Sequence, residues 1–159
     1  MSTARMVSGT KVIGVAAAGA NAYALSFATG KPVSTNSAAT FADGMAVRIP
    51  NADAFHIIKH GADRIVEVSE EEIAEAMRIY YRTAHTLSEG AGAAPLAALL
   101  KEKDRMKGKR VGVILSGGNI DPMLLLRVIE HGLVSAGRFL RLAVRTGDQP
   151  GELARLLAE

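Results

Sequence analysis

The 159 residues contain no cysteine and no tryptophan. The absence of cysteine excludes a disulfide scaffold and a thiolate metal site, and suits a cytoplasmic chain. Aromatics make up only 4% of the residues, which leaves few rings for stacking on bases. Charge of one sign is also scarce: 19 basic against 16 acidic residues give a net +3. The densest basic cluster, Lys101 to Arg110, is interrupted by Glu102 and Asp104 and reads as a solvated helix end. A nucleic-acid partner, which needs a concentrated basic face, is therefore not expected. No stretch approaches the roughly 20 apolar residues that span a bilayer, so no membrane partner is expected. Met1 to Met6 lacks the apolar run of a signal peptide.

What is present is small and apolar. Nearly half of the chain is hydrophobic (48%), with Ala, Gly, Leu and Val dominant, which suits close packing of helices on strands. Lys11 to Val15 and Arg64 to Val68 read as buried strands, and Arg110 to Leu115 as a third. Ala20 to Ala28 reads as a short helix stopped by Gly30 and Pro32. Asn51 starts another that ends near Gly61. Ser69-Glu70-Glu71-Glu72 is a capping box, with a serine N-cap and glutamate at N3. Ile73, Ala76, Met77, Tyr80 and Tyr81 follow at helical spacing as an apolar stripe. Glu89 to Gly92 reads as a glycine-rich turn before an alanine- and leucine-rich helix that runs through Leu100. Pro122 suits the first turn of a helix to about His131. This alternation predicts an α/β fold, a parallel sheet with flanking helices.

A second, smaller unit is expected from Arg138. Leu140 to Arg145 alternates apolar and basic residues as a half-exposed strand. Asp148 to Gly151 reads as a turn and Glu152 to Ala158 as a helix. One strand and one helix cannot bury a core of their own. The chain thus divides into residues 1–137 and an incomplete unit, 138–159.

Chemistry concentrates in Val113-Ile114-Leu115-Ser116-Gly117-Gly118-Asn119-Ile120-Asp121. An apolar run ends in a hydroxyl, two glycines and an amide, presenting polar atoms at a strand's carboxyl end, where open α/β sheets bind ligands. Gly117 and Gly118 permit close backbone approach. Asn119 and Asp121 are candidates for capping the next helix. His56, His60, His85 and His131 form no metal-ligand pattern, and the His56/His60 pair reads as surface chemistry. No nucleophile elbow, phosphate-binding P-loop or dinucleotide fingerprint occurs.

The nonapeptide resembles the SGGN turn of the threonine ammonia-lyase (threonine dehydratase) and serine racemase family, whose cofactor is pyridoxal 5'-phosphate. The resemblance implies that the Ser116 hydroxyl contacts the cofactor's ring nitrogen. A neutral serine leaves that nitrogen unprotonated, a weaker electron sink that suits rapid loss of a β-substituent. Thr40-Phe41-Ala42-Asp43-Gly44-Met45-Ala46-Val47 is similar to another family segment, which makes Gly44 a cofactor-site position. Ser88-Glu89-Gly90-Ala91-Gly92-Ala93 resembles the segment whose glutamate, here Glu89, lies near the cofactor ring. Val68 to Ile73 also matches, in a capping role. The C-terminal unit resembles the opening of an ACT domain, a module that binds amino-acid effectors.

There are departures. Ala16 and Ala22 stand where the racemases carry acidic metal ligands, so no metal site is expected. The family's Schiff-base lysine motif is absent: none of the seven lysines has its context. The glycine-rich phosphate loop is expected just before Met1, with Met1 to Arg5 resembling the helix after it. The resemblance implies a tryptophan synthase β-like fold and β-elimination of L-threonine, with L-serine a weaker substrate, to 2-oxobutanoate and ammonia. The enzyme implied is larger, a homo-oligomer of which this chain is a part inactive by itself. A serine or threonine racemase, and a non-catalytic binding or regulatory protein on the same scaffold, remain as alternatives.

Overall fold

The computed structural model describes residues 9–145, 147 and 149–158. Its centre is a parallel pair of strands, β1 (Ile13–Ala17) and β2 (Arg64–Val68), in register from Ile13 opposite Arg64 to Ala17 opposite Val68. Parallel strands need a long crossover. Here it contains α1 (Ala22–Thr29) and α2 (Ala52–Gly61). Side chains alternate across the pleat. Ile13, Val15, Ala17, Val66 and Val68 pack into or against the main core, while Gly14, Ala16 and Ile65 turn towards Tyr23 of α1 and Ile58 of α2.

The main core is formed with α3 (Glu70–Ile79) and α4 (Gly90–Lys101), which pack on each other, α4 also lying against both strands. Ile73, Val68 and Ala76 are fully buried, as are Ala93 and Ala94. Small side chains on α4 bring its axis close to the sheet, so alanine supplies much of the core in place of aromatics. A short α5 (Lys103–Met106) follows. Then α6 (Pro122–Ser135) packs on α3 through Val128, and α7 (Glu152–Ala158) ends the described chain.

The helix starts obey local chemistry. Asn51 accepts from the Ala54 N–H at 3.0 Å and caps α2. At α3 the Ser69 hydroxyl accepts from the Glu72 N–H at 3.2 Å, and the Glu72 carboxylate accepts from the Ser69 N–H at 2.8 Å, which completes the expected box. Asp121, not Asn119, caps α6, accepting from Met123 and Leu124 at 2.9 and 3.0 Å. Gly30 stops α1 in the left-handed conformation (φ +74°), its N–H returning to the Ser26 carbonyl.

Several expectations are corrected. Residues 110–115 are extended but form no strand, and Ile114 is 75% exposed. A strand exists only where a neighbour takes its hydrogen bonds; β1 and β2 pair with each other, and the end of this run is drawn instead to the start of α4. The same reason applies to Leu140–Arg145, which is exposed and unpaired among the described residues. The apolar stripe of α3 does not continue as regular helix: Tyr80–Ala84 widens into a π turn that ends at left-handed His85 (φ 50°). Glu89 to Gly92 is not a separate turn, because Gly90 already begins α4. Met1 to Arg5 and Asp148 lie outside the described residues.

Ser69→Ala removes one side of the capping box and should cost about 1 kcal/mol in urea unfolding. The Arg64 guanidinium donates to Glu102 and holds its carboxyl below the usual carboxylate range. The folded state thus favours ionised Glu102, and this contribution is present at neutral pH and lost as pH falls through the folded-state value. Glu102→Gln should flatten the acid limb of stability against pH, measured by unfolding between roughly pH 6 and pH 2.

Candidate functional site

The first turn of α4 is the meeting point of segments far apart in sequence. Glu89 is its N-cap, extended at φ −76° and ψ 168°, and its carbonyl accepts from Ala93 at 3.0 Å. Buried Ser88 donates its hydroxyl to the same carbonyl at 2.8 Å. The Glu89 N–H faces the Gly117 carbonyl at 3.4 Å, a long contact that ties the two segments. Glycine is required at Gly117 on two counts. Its φ is +71°, and a Cβ there would overlap the Glu89 carboxylate. A Cβ on Gly92 would overlap the Ser116 carbonyl oxygen, and one on Gly118 would stand 3.2 Å from the Leu87 carbonyl oxygen.

The opposite side of the same turn carries the segment from Thr40 to Val47. A Cβ on Gly90 would stand 2.8 Å from the Phe41 ring and 3.0 Å from Ala42. Gly44, in the short 3-10 turn Asp43–Met45, rests against Ala91, where an added Cβ would lie 3.1 Å away. Positions two apart on a helix point about 200° apart. Gly90 and Gly92 therefore open opposite sides of α4, one for each incoming segment. Neither glycine was singled out from sequence as a site position. The signal was their spacing, which has meaning only once the segment is known to be helical.

Every residue expected at a cofactor site thus gathers at one helix end. Glu89, Ser116, Gly117 and Gly118 are in mutual reach through the turn, and Gly44 joins them by way of Ala91. Ser116 is exposed, on the outer surface of this cluster. Lysine is not part of it. Lys11 pairs with Asp63 at 3.2 Å, Lys59 donates to the Gly30 carbonyl at 2.7 Å, and Lys101 pairs with Glu72 at 3.0 Å. Lys101 stands at the far end of α4, about 18 Å along its axis, and Lys103 opens α5 beyond it. Among the described residues no group of three or more His, Asp or Glu side chains could hold a metal ion. The His56 and His60 rings lie 4.4 Å apart between centroids, tilted by 46°, on the exposed side of α2.

Residues 2–117 match the family model described as pyridoxal-phosphate dependent enzyme. The chain belongs to this family. It is 46% identical over 150 residues to an L-threonine ammonia-lyase of Geobacter sulfurreducens, an alignment covering 94% of this chain and 37% of that one. It is 40% identical to the L-threonine ammonia-lyase of Thermotoga maritima, over 92% of this chain and 36% of that protein. Among solved structures, the processed form of threonine deaminase isoform 2 from Solanum lycopersicum superposes with TM-score 0.74 at 31% identity, covering 80% of this chain and 36% of that one. Maize serine racemase gives TM-score 0.70 at 26% identity, over 82% and 42%. The chain therefore spans little more than a third of the curated relatives it matches.

Family membership implies pyridoxal phosphate, and this structure fits one edge of it. The Ser116 hydroxyl stands at an exposed turn flanked by glycines, a neutral hydrogen-bonding group of the kind that suits a ring nitrogen. The residues do not fit the covalent anchor, because the cluster contains no lysine amine. Gly117→Ala should destabilise the chain by about 2 kcal/mol, from left-handed strain and the overlap with Glu89. Gly112→Ala, with open space at its Cβ and no positive φ, should shift urea unfolding by less than about 0.5 kcal/mol.

Proposed function

We propose that this chain forms the ring-facing wall of the cofactor site in a larger pyridoxal phosphate enzyme that deaminates L-threonine, and more weakly L-serine, to the 2-oxo acid and ammonia. The observation that carries this reading is the convergence of Ser116, Gly117, Gly118, Gly44 and Glu89 on the first turn of α4. The similarity to two L-threonine ammonia-lyases along more than nine-tenths of the chain supports it.

Pyridoxal phosphate supplies the electron sink for β-elimination when bound. The residues of this chain act around it. Ser116 offers a hydroxyl to the ring nitrogen without placing a charge beside it. Gly117 and Gly118 leave the turn's outer surface free of side chains. Gly44 brings backbone to the opposite side of the same helix turn, against Ala91, and Glu89 holds a carboxylate beside Gly117. None of these residues supplies an amine, so they would hold the ring edge of the cofactor and not its covalent anchor. The 159-residue chain alone is accordingly inactive.

Residues 138–159 fit the start of an ACT-like unit for an amino-acid effector, a reading supported by α7 and the turn before it. The apolar residues left exposed on α6, Met123, Leu126 and Val134 among them, support association into a homo-oligomer. No helix among the described residues is long and apolar enough to cross a membrane. The cysteine-free composition supports a cytoplasmic setting. A serine racemase is the second reading, favoured by the likeness to the maize enzyme. Against it, Ala16 and Ala22 are buried alkyl groups where carboxylates would have to stand.

A chimera tests the proposal. Residues 9–137 replace the matching segment of the Geobacter sulfurreducens enzyme, which supplies the lysine and phosphate loop. Release of 2-oxobutanoate from L-threonine is the expected result, and Ser116→Ala in the chimera should lower turnover about 10- to 100-fold. A folded chimera that shows cofactor absorbance but forms no 2-oxo acid would sink the reading. Conversion of L-serine to D-serine in its place would favour the racemase. The chain by itself, given pyridoxal phosphate and L-threonine, should release none.

A further inference from the structure

The first turn of α3 carries three consecutive glutamates, and the capping box uses only the last. Glu71 is exposed, its carboxyl pulled down by hydrogen bonds from its own backbone N–H and from Ser69. Glu70 does something else. Its Oε2 accepts from the Phe41 N–H at 2.9 Å, across 29 residues of sequence. Its Oε1 is buried without a hydrogen-bond partner. Leaving a buried carboxylate oxygen unpaired is costly. The helix N-terminus beneath Glu70 offsets part of that cost by favouring negative charge.

Phe41 begins the turn that carries Gly44. Its ring packs beside Gly90 and Gly44 rests on Ala91, so the bond from Glu70 lies at the root of the segment that grips one side of α4. The other ties of this segment are local or lie farther back: Ala42 N–H to the Thr40 hydroxyl at 3.1 Å, and Ala39 N–H to the Gly19 carbonyl at 2.9 Å. Among the described residues, the Glu70 carboxylate makes the side-chain hydrogen bond that joins it to α3, the helix that packs most closely on α4.

We propose that Glu70 is a positioning residue: its carboxylate latches Phe41 and so fixes the Gly44 turn against the first turn of α4. The proposal deepens the cofactor-site reading, since Gly44 has its place in the site only if this turn is held. A glutamate read from sequence as part of a helix cap thereby acts on a segment 29 residues earlier.

The test uses the 159-residue chain without cofactor, so its outcome is independent of whether the cofactor reading stands. Amide hydrogen exchange is followed by NMR in the native chain, in Glu70→Ala and in Glu70→Gln. In Glu70→Ala, exchange at Phe41 should accelerate about tenfold or more. The Gly44 and Ala91 resonances should shift, while Val15 and Val66 keep their rates. Glu70→Gln keeps an acceptor oxygen at the same reach and should restore Phe41 protection most of the way. Unchanged exchange at Phe41 in Glu70→Ala would overturn the proposal. So would equal acceleration at Val15, Val66 and Phe41, which marks a general loss of stability. If Glu70→Ala does not fold, Glu70→Gln decides: native protection at Phe41 with native Gly44 shifts upholds the latch, and loss of both refutes it.

Discussion

The first turn of α4 can be approached from two sides only because residues 90 and 92 have no Cβ, and the candidate site depends on this constraint. Phe41 and Ala42 occupy the space beside Gly90, and the Ser116 carbonyl occupies that beside Gly92. A methyl group at either place would push the segment packed there away from the helix. Glycine in a helix lowers intrinsic helix stability by roughly 1 kcal/mol relative to alanine. Here that cost falls in the first turn, where packing against two loops and the sheet offsets it.

Packing on the sheet works on the same principle of small side chains. Ala93, Ala94, Ala97 and Ala98 bury one side of α4 against the strands and α3, with little aromatic volume in the core. Such a core gains from closeness rather than bulk, since dispersion contacts fall off steeply with separation. It also leaves surface uncovered. Val111, Ile114 and Leu115 stay exposed, as do Leu140, Leu142 and Val144. Parallel sheets in α/β proteins are normally covered on both faces and extend beyond two strands. The apolar run before Ser116 has no strand neighbour among the described residues.

Local readings succeeded where the physics is local. The capping box at Ser69 needs only four residues, and so do the Asn51 cap, the Gly30 stop and the Pro122 start. Each formed as its sequence indicated, because the donors and acceptors are neighbours in the chain. Arg64–Val68 matched its strand residue for residue. Arg110–Leu115 and Leu140–Arg145 carry strand-like patterns of equal quality and remain unpaired. Pattern states which residues could pair, but a ladder needs a partner edge. Likeness to the family's motifs singled out five residues, and the structure places all five around the first turn of α4. Its supporting residues, Gly90, Gly92, Phe41 and Glu70, carried no such mark.

By itself the sequence determined the α/β class, the helix starts and the lack of a lysine in the family's motif. All of these are properties of residue type and short spacing. Only the tertiary structure decided that Gly44 and Ser116 lie on opposite sides of one helix end, and that Glu70 accepts from Phe41 instead of from its own helix. Those facts rest on contacts across 24 residues or more, and short-range preference carries no information about which distant backbone atom will fill the space a missing Cβ leaves open.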